Sequence, residues 1–328
     1  MKSKIAAAAV SAVLVCTAAC SEGSVVGFAP TEQDKQVVMT VGGMDVAYQE
    51  FRYYYLNNKR DSFDAEAVPT DTEHSELLAM TEQNAKQRYA LILFAEQYGV
   101  SVTSDDKKAA NEYVDSYIND YFATDDDYML ALESQYMTDS LFRSFQSEIE
   151  LAYRVLDKMK EAGEIITSDE DIDAVFASDE IICLKEIFVP YTSEGTKESA
   201  KAYAEEALSK LMDGEEFEAL MPQYSDYSTE TLSPEHGYYT MKYDAMDVIW
   251  NVATDLAVGE HSYVIESEYG FHLIKRCEKD PEYMEENRDT IYEAYTQAKF
   301  EELIAPFMES LTVEYTDYGK SLRATDII

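Results

Sequence analysis

Two runs of β-branched and aromatic residues constrain the fold of this chain more than any other feature of its sequence. The first run is Ile181–Val189, and the second, YGFHLIKRC, is entered through Gly270. Such runs, uninterrupted by proline, are typical of β-strands. Between them, residues 197–212 and 246–256 carry apolar side chains three and four positions apart, which predicts two amphipathic helices. The stretch therefore predicts a small antiparallel sheet wrapped by helices, within an α+β fold.

The charge balance limits the partners that this chain can bind. Its 328 residues include 65 acidic and 26 basic side chains, a formal net charge of -39. Nucleic acid and anionic lipid headgroups are repelled by such a field, whereas cationic unfolded segments are attracted. The alternative is that the charge only keeps the protein soluble. The length allows two domains, and 46% hydrophobic residues are ordinary for a folded protein.

The N-terminus predicts export from the cell. Lys2 and Lys4 precede an apolar run, Ile5–Ala19, that is too short to span a bilayer, as in secretory signal peptides. The small residues before Cys20 resemble the lipobox of bacterial lipoproteins, which implies lipidation of Cys20 and anchoring to the outer face of a bacterial cell membrane. Thr17 replaces the leucine usual there, so ordinary signal cleavage is the alternative. Residues 1–20 are thus a predicted signal peptide and residues 21–34 a tether.

The central stretch resembles the parvulin-type peptidyl-prolyl isomerase domain. DGEEFEALMPQYSD, residues 213–226, matches its G-x-x-F-x-x-L…YS segment, and AVGEHSYVIESEYGFHLIKR, residues 257–276, matches its G-E-x-S…YG-F-H-I-I-K ending. KQVVMTVGGMDVAYQEFRYYYLN, residues 35–57, resembles the opening of extracytoplasmic foldases of the PrsA and SurA type, V-N-G-x-x-I-x-x-x-E-F. Gly42 replaces the asparagine of that motif, a conservative change in a turn that needs a positive φ.

This resemblance implies a discontinuous helical chaperone domain with the isomerase domain inserted. We expect an N-terminal helical part at residues 35–170, in which apolar stripes predict four helices after the opening hairpin and helix. An acidic link, residues 168–180, leads into a parvulin-like domain at residues 178–279. A C-terminal helix within residues 280–322 is expected to pack on the N-terminal part and to be kinked or broken near Pro306.

Three polar positions carry the chemistry in the family. His272 falls on its second histidine, Glu186 stands where its first histidine belongs, and Tyr227 stands where Cys or Asp is expected. The resemblance implies these three as candidate catalytic residues. A glutamate beside His272 is expected to favour the imidazolium form and a charge-assisted hydrogen bond. The alternative for Glu186 and His272 is a structural role in the sheet.

An apolar pocket for the proline ring is the second feature that the resemblance implies. Met246 falls on the pocket methionine, Ile249 or Trp250 takes the place of the pocket phenylalanine, and Phe188 lies in the first strand beside Glu186. Rotation about an X-Pro bond needs no covalent step, so we expect no cofactor. No cluster of histidine, cysteine or acidic residues has metal-ligand spacing, so we expect no metal.

Cys183 and Cys277 are the two cysteines of the body of the chain. They lie in the first and last strands of the isomerase-like stretch, which pair antiparallel in the family. Facing residues of such a pair have a constant index sum, so Glu186 and His272 (458) and Cys183 and Cys277 (460) each share a face of the sheet. A disulfide requires the second register or a bulge. Two buried thiols are the alternative.

The resemblance implies an extracytoplasmic foldase that assists exported proteins, with X-Pro isomerisation by the parvulin-like domain. The expected partners are unfolded or newly exported polypeptides containing X-Pro bonds, with membrane contact through the lipid anchor alone and no nucleic acid. A catalytically inactive holdase that retains the fold as a peptide-docking module is the alternative. The sequence leaves the oligomeric state open, and a dimer is one possibility.

Overall fold

The computed structural model of the protein describes residues 30–63, 66–191, 195–225 and 236–327. The described chain divides into two compact units. The first comprises the residues up to Ala162 and those from Leu303 onward, and the second comprises Gly163–Glu302. The division falls inside one helix, Arg288–Ser310, which contributes residues to both units.

The first unit opens with the hairpin that the sequence predicts. Strand β1 is Val37–Val41 and strand β2 is Met44–Ala47, joined through Gly42 and Gly43 at φ +57° and +85°. Both glycines thus adopt the left-handed conformation that other residues avoid. A third strand, Val313–Tyr315, pairs antiparallel with the other edge of β1, so the two ends of the chain meet in one sheet.

Helices form most of the first unit, and the predicted helices are confirmed with small shifts of their ends. They are α1 Tyr48–Ser62, α2 Asp71–Gln97, α3 Ser104–Tyr121, α4 Asp125–Ser134 and α5 Asp139–Glu161. The last four each begin after a threonine whose hydroxyl accepts a hydrogen bond from the backbone N–H three residues later: Thr70, Thr103, Thr124 and Thr138. Such caps satisfy N–H groups that have no partner inside the helix.

A buried arginine ties three of these helices together. Arg88 of α2 donates from Nη1 to Glu50 of α1 at 2.5 Å and from Nη2 to Glu148 of α5 at 2.6 Å. Its Nε donates to the second oxygen of Glu148 at 3.0 Å, and Nη2 also reaches the Ser144 hydroxyl at 2.9 Å. Hydrogen bonds from Arg88 therefore meet acceptors on two helices where water is largely excluded.

The second unit contains a four-stranded antiparallel sheet with helices on both faces. Its strands are β3 Ile182–Pro190, β4 Tyr238–Thr240, β5 Ile265–Glu266 and β6 Gly270–Cys277, in the order β4-β3-β6-β5. Its helices are α6 Asp169–Ala177, α7 Lys197–Met212, α8 Phe217–Tyr224, α9 Asp247–Asp255 and α10 Pro281–Glu286. The predicted α+β fold is confirmed.

The chain ends with elements shared between the units or belonging to the first. Helix α11 is Arg288–Ser310, the strand Val313–Tyr315 is numbered β7, and helix α12 is Asp317–Ser321. A single 3-10 turn, Ala324–Asp326, follows.

Alternation along β3 and β6 gives the sheet two different cores. Ile187 and Val189 face helices α7 and α8 and pack with Leu273 and Phe271 of β6. On the other face, the buried residues of the sheet and helix α9 form a separate cluster of Ile182, Leu184, Ile249, Ala253 and Ile274. Glu186 and His272 belong by strand periodicity to this second face.

The structure differs in three respects from what the sequence predicts for residues 163–310. The described residues between β3 and β6 form three helices and not two, because Phe217–Tyr224 is also helical despite Pro222 near its end. The acidic link contains helix α6, which Ser168 caps and which buries Phe176. The C-terminal segment is divided at Asn287 into a short helix, capped by Asp280 with Pro281 in its first turn, and helix Arg288–Ser310, which is not broken at Pro306.

Candidate active site on the sheet of the second unit

Glu186 and His272 are joined directly across the two central strands. In the observed register, Glu186 faces Ile274 and His272 faces Phe188, so the pair lies on one face of the sheet but two positions apart along it. The imidazole Nδ1 and the carboxylate Oε1 are nevertheless 2.5 Å apart. The prediction that these side chains share a face and adjoin is confirmed.

Two further hydroxyl groups complete this polar cluster. Ser267 Oγ lies 2.7 Å from His272 Nε2, and the Tyr238 hydroxyl donates to Glu186 Oε2 at 3.0 Å. Ser267 Oγ also accepts the backbone N–H groups of Tyr269 and Gly270, at 3.1 and 3.3 Å. The same hydroxyl lies 3.4 Å from the backbone carbonyl oxygen of Gly270, so Ser267 connects His272 to the turn before strand β6.

Both ring nitrogens of His272 are within hydrogen-bond distance of a partner. Nδ1 adjoins the Glu186 carboxylate and Nε2 adjoins the Ser267 hydroxyl. The ring is therefore held at both nitrogens between a carboxylate and a hydroxyl, which fixes its orientation in the sheet. Glu186 accepts from two donors, one at each oxygen, which compensates for the burial of a carboxylate.

His272 is enclosed by its neighbours. The side chain is 1% exposed, and the Phe188 ring stacks on it with ring centroids 4.6 Å apart. Both ring nitrogens have partners within the protein, so the imidazole is not accessible to a bound peptide.

Beside this polar cluster lies an apolar surface. The buried cluster on the α9 face of the sheet is bordered by the partly exposed side chains of Tyr238, Met246 and Trp250. Met246 immediately precedes helix α9 and Trp250 follows one turn later, whereas Ile249 is only 3% exposed. Of the two alternatives for the pocket aromatic, Trp250 is thus the one that reaches the surface.

Trp250 also faces a cavity on the side of helix α11. This cavity has a volume of about 620 Å³, and its apolar wall includes Met241, Trp250, Tyr295 and Ala298. Lys242 and Lys299 line it together with acidic residues. The indole of Trp250 therefore lies between the cluster that includes Tyr238 and this cavity.

Some predicted residues fall outside the described part of the chain. Tyr227, the third candidate catalytic residue, lies in residues 226–235, and Cys20 lies before residue 30. In the described ranges, no helix has the length and apolarity needed to cross a membrane. No group of three histidine, cysteine or acidic side chains within those ranges converges on a metal-sized site.

Sequence reasoning missed two members of the polar cluster. Ser267 had a usable signal, because a serine three residues before Gly270 is typical of a turn in which the hydroxyl binds nearby backbone N–H groups. Tyr238 had no such signal. Its role depends on strand β4 pairing with β3 so that the phenol reaches Glu186, and only the register determines that contact.

The opposite face of the sheet carries an ion-pair cluster at the same level of the strands. Lys185 and Lys275 face each other across β3 and β6, and both ammonium groups bind Glu218 of α8, at 3.0 and 2.9 Å. Burial opposes ionisation of Glu218, but hydrogen bonds from Lys275 and Lys185 outweigh it and lower the pKa of this carboxyl to about 2.

Glu218 is therefore expected to make the stability of the second unit depend on pH in the acid range. Its pKa is depressed on folding, so its contribution is complete above the unfolded value of 4.5 and is lost as pH falls towards 2. After allowance for screening of a side chain that is 31% exposed, we expect Glu218→Gln to remove about 2 kcal/mol of this pH-dependent stability. Denaturant unfolding at a series of pH values measures how the free energy of unfolding depends on pH.

The control is Glu216→Gln, because Glu216 is an exposed neighbour of Glu218. Equal pH dependence of the unfolding free energy in both variants would contradict the prediction.

Comparison with known proteins finds a family match within the second unit. The family model for the PPIC-type PPIASE domain (Rotamase) matches residues 182–278. Foldase protein PrsA of Bacillus subtilis (strain 168) is 25% identical over 224 residues, which cover 66% of this chain and 71% of that protein. Foldase protein PrsA of Halalkalibacterium halodurans is 28% identical over 212 residues, covering 61% of each chain.

The crystal structure of PrsA from Bacillus subtilis is similar at 23% sequence identity and a TM-score of 0.28, covering 84% of this chain and 93% of that one. The matched domain begins at the first residue of β3 and ends one residue beyond β6, so it contains Glu186, His272 and their partners. Residues 182–278 therefore match the PPIC-type PPIASE domain, and the chain is similar in sequence to a PrsA foldase over 66% of its length.

Proposed function

We propose that this protein is an extracytoplasmic foldase that assists the folding of exported proteins and isomerises their X-Pro bonds in the PPIC-type domain. The observation that carries the proposal is the partly exposed apolar surface of Tyr238, Met246 and Trp250 beside the closed Glu186–His272 pair. Its apolar character suits a proline ring, and the polar pair holds Tyr238 at one side of it through the Tyr238 hydroxyl.

Isomerisation of an X-Pro bond requires only that the site favour the twisted form of the amide. Planar amide resonance opposes rotation about the X-Pro bond with a barrier of about 18–20 kcal/mol. Holding the ring of proline against an apolar wall while the preceding carbonyl turns out of plane favours the twisted amide over both planar forms. Met246 and Trp250 supply that wall, and Tyr238 is held at its edge by Glu186. No bond is made or broken, and no cofactor takes part.

The helical first unit is proposed to hold unfolded segments while isomerisation proceeds. Helix α3 exposes Tyr113 and Tyr121, whose rings flank that of Tyr117. Tyrosine offers an apolar face and a hydroxyl, which suits segments of varied sequence. The net charge of -39 would draw cationic segments towards the protein. Residues 35–170, with the chain beyond residue 280, are proposed as this chaperone part, and lipidated Cys20 as its membrane anchor.

A holdase without isomerase activity is the second candidate, and one observation favours it. Glu186 stands in the position of the first family histidine, and the resulting cluster is closed, with every ring nitrogen and carboxylate oxygen of the pair in a hydrogen bond. Such a cluster can brace the sheet without any catalytic effect.

An isomerisation assay on a proline-containing tetrapeptide separates the two candidates. For the full chain we expect catalysis above the uncatalysed rate, and we expect Met246→Ala and Trp250→Ala each to lower kcat/KM about tenfold, equivalent to about 1.4 kcal/mol of transition-state stabilisation. Val248→Ala is the matched control, because Val248 lies on the same helix but is exposed. Activity should be unchanged in that variant.

The opposite result is equally clear. If the full chain gives no rate above background and still suppresses aggregation of a denatured protein, the holdase is correct and the isomerase proposal fails. If all three variants are as active as the parent chain, the apolar surface at Met246 and Trp250 is not the proline site.

A further inference from the structure

Cys183 and Cys277 occupy facing positions at one end of the sheet. They are direct partners in the β3–β6 register, and both are free thiols. Facing Cα atoms in an antiparallel pair are about 4.5–5.5 Å apart, inside the range of about 4.4–6.8 Å over which a disulfide can close. The register is thus the one that the sequence required for a disulfide, although the structure holds the reduced pair.

The two thiols differ in access. Cys183 is 1% exposed, and its Sγ lies 3.2 Å from the backbone carbonyl oxygen of His236. Cys277 is partly exposed and lines a cavity of about 370 Å³ that Cys183 does not line. The charged or titratable neighbours of Cys277 in this cavity are Lys185, Glu218, His236, Lys275, Arg276, Glu278 and Asp280. One sulfur is therefore open to a reactant and the other lies directly behind it.

The surroundings also favour a thiolate at the open position. A hydrogen bond from Cys183 lowers the pKa of Cys277 to about 7, and the ammonium groups of Lys185 and Lys275 add to this effect. The same hydrogen bond and burial raise the pKa of Cys183. The thiolate is the nucleophile in disulfide exchange, so Cys277 is the thiol prepared to attack.

We propose that Cys183 and Cys277 form a redox-active dithiol that exchanges with external disulfides, with Cys277 as the attacking thiol and Cys183 as the resolving thiol. The Cys277 thiolate attacks one sulfur of a disulfide R–S–S–R′, forming a mixed disulfide and releasing R′S⁻. Cys183 then loses its proton to water and attacks Cys277 Sγ, which forms the Cys183–Cys277 disulfide and releases RS⁻. The two cysteines are oxidised and the external disulfide is reduced to two thiols.

This reaction leaves the isomerase surface untouched, because the cysteines belong to the sheet face that packs on α7 and α8. Glu186, His272 and the Met246 cluster lie on the other face. The dithiol is therefore independent of the proposed isomerase activity, and either can be present without the other.

Oxidation of the reduced full chain by oxidised glutathione, followed by mass-spectrometric mapping of the cysteines, tests the proposal. For the parent chain we expect a Cys183–Cys277 disulfide that dithiothreitol reverses under native conditions. For Cys183→Ala we expect a glutathione adduct to accumulate on Cys277, because no resolving thiol remains. For Cys277→Ala we expect at least a tenfold slower modification of Cys183 in the native protein, with normal reactivity after denaturation.

An unfolded polypeptide with one disulfide serves as the second oxidant. Faster oxidation of the dithiol by this polypeptide than by glutathione identifies protein disulfides as the partner, and the reverse order identifies low-molecular-weight disulfides. The proposal is overturned if the native parent chain forms no disulfide with either oxidant, or if Cys183→Ala gives no adduct on Cys277. Equal modification of both cysteines in the native single variants would also overturn the assigned roles.

Discussion

Replacing Arg88 by Met is expected to destabilise the first unit by about 3–5 kcal/mol. Arg88 supplies hydrogen bonds to Glu50 and Glu148, whose side chains are 4% and 6% exposed. Without the guanidinium, two buried carboxylates in one site lose their counter-ion and repel each other. The change in the free energy of unfolding, measured with urea and far-ultraviolet circular dichroism, gives the magnitude directly.

The matched control is Lys108→Met on the surface of helix α3. Lys108 forms an ion pair with Glu112 at 3.6 Å, but the two side chains are 74% and 70% exposed. Exposed pairs of this kind contribute about 0–1 kcal/mol, so the control should leave stability nearly unchanged. A further variant, with Glu50, Arg88 and Glu148 all changed to Met, should recover most of the loss, because apolar packing replaces a buried charge cluster at little cost. A loss below about 1 kcal/mol for Arg88→Met alone would show that the cluster does not stabilise the unit.

Local patterns predicted most of the fold because the elements concerned are determined locally. The hairpin at Gly42 and Gly43 needs positive φ at its turn, and helices α2 to α5 of the first unit each begin at a threonine cap and bury apolar residues. Strand β7 has only three residues and pairs with β1 from the far end of the chain. Its pairing is a long-range contact, so no local periodicity indicates it.

The sequence did not predict helices α6 and α8, whose polar residues or proline are less typical of a helix. Helix α6 begins with three acidic residues, which read as a solvated link, yet acidic residues in the first turn stabilise a helix through its dipole. Pro222 hid helix α8, although a proline near a helix end removes few of its hydrogen bonds. In each helix a buried apolar residue, Phe176 in α6 and Leu220 in α8, indicates the helix better than its polar residues do.

The candidate site shows the same division between local and long-range information. Strand periodicity placed Glu186 and His272 on one face, because residues an even number of positions apart along paired strands share a side. The contact itself depends on the register and on side-chain length, since the residues are two positions out of step. Ser267 lies in the turn before β6 and contacts His272, and Tyr238 lies in strand β4 and donates to Glu186. Neither contact follows from the pattern of β3 and β6 alone.

The hydrogen bonds of Glu186 explain how a carboxylate is accommodated inside the sheet. A carboxylate has two oxygens, and both must accept hydrogen bonds when the group is 6% exposed. His272 binds one oxygen and the Tyr238 hydroxyl donates to the other. The buried carboxylate is thus stabilised by a tyrosine that also borders the apolar surface, which couples the polar pair to the proposed proline site.

The variant His272→Leu is expected to cost about 3–5 kcal/mol in the stability of the second unit, because it leaves a buried carboxylate with one donor fewer. Glu186→Leu should cost less, about 1–3 kcal/mol, since it leaves one ring nitrogen without its partner and no carboxylate buried. If the pair acts as a unit, the double variant Glu186→Leu/His272→Leu will be more stable than the sum of the single losses predicts, by about 2 kcal/mol or more. Urea unfolding of the four chains measures this double-mutant cycle.

Isomerase kinetics of the double variant then show whether Glu186 and His272 only stabilise the sheet or also hold Tyr238 at the apolar surface. Its sheet should be folded, but Tyr238 has lost the acceptor that holds it at the edge of the apolar surface. We therefore expect kcat/KM about tenfold below the parent chain, with the loss mainly in kcat, because a displaced wall disfavours the twisted amide more than the ground state. Tyr238→Phe, which removes the same hydrogen bond from the other side, should reproduce the kinetic loss. Full activity in a stable double variant would show that Glu186 and His272 only hold the strands together.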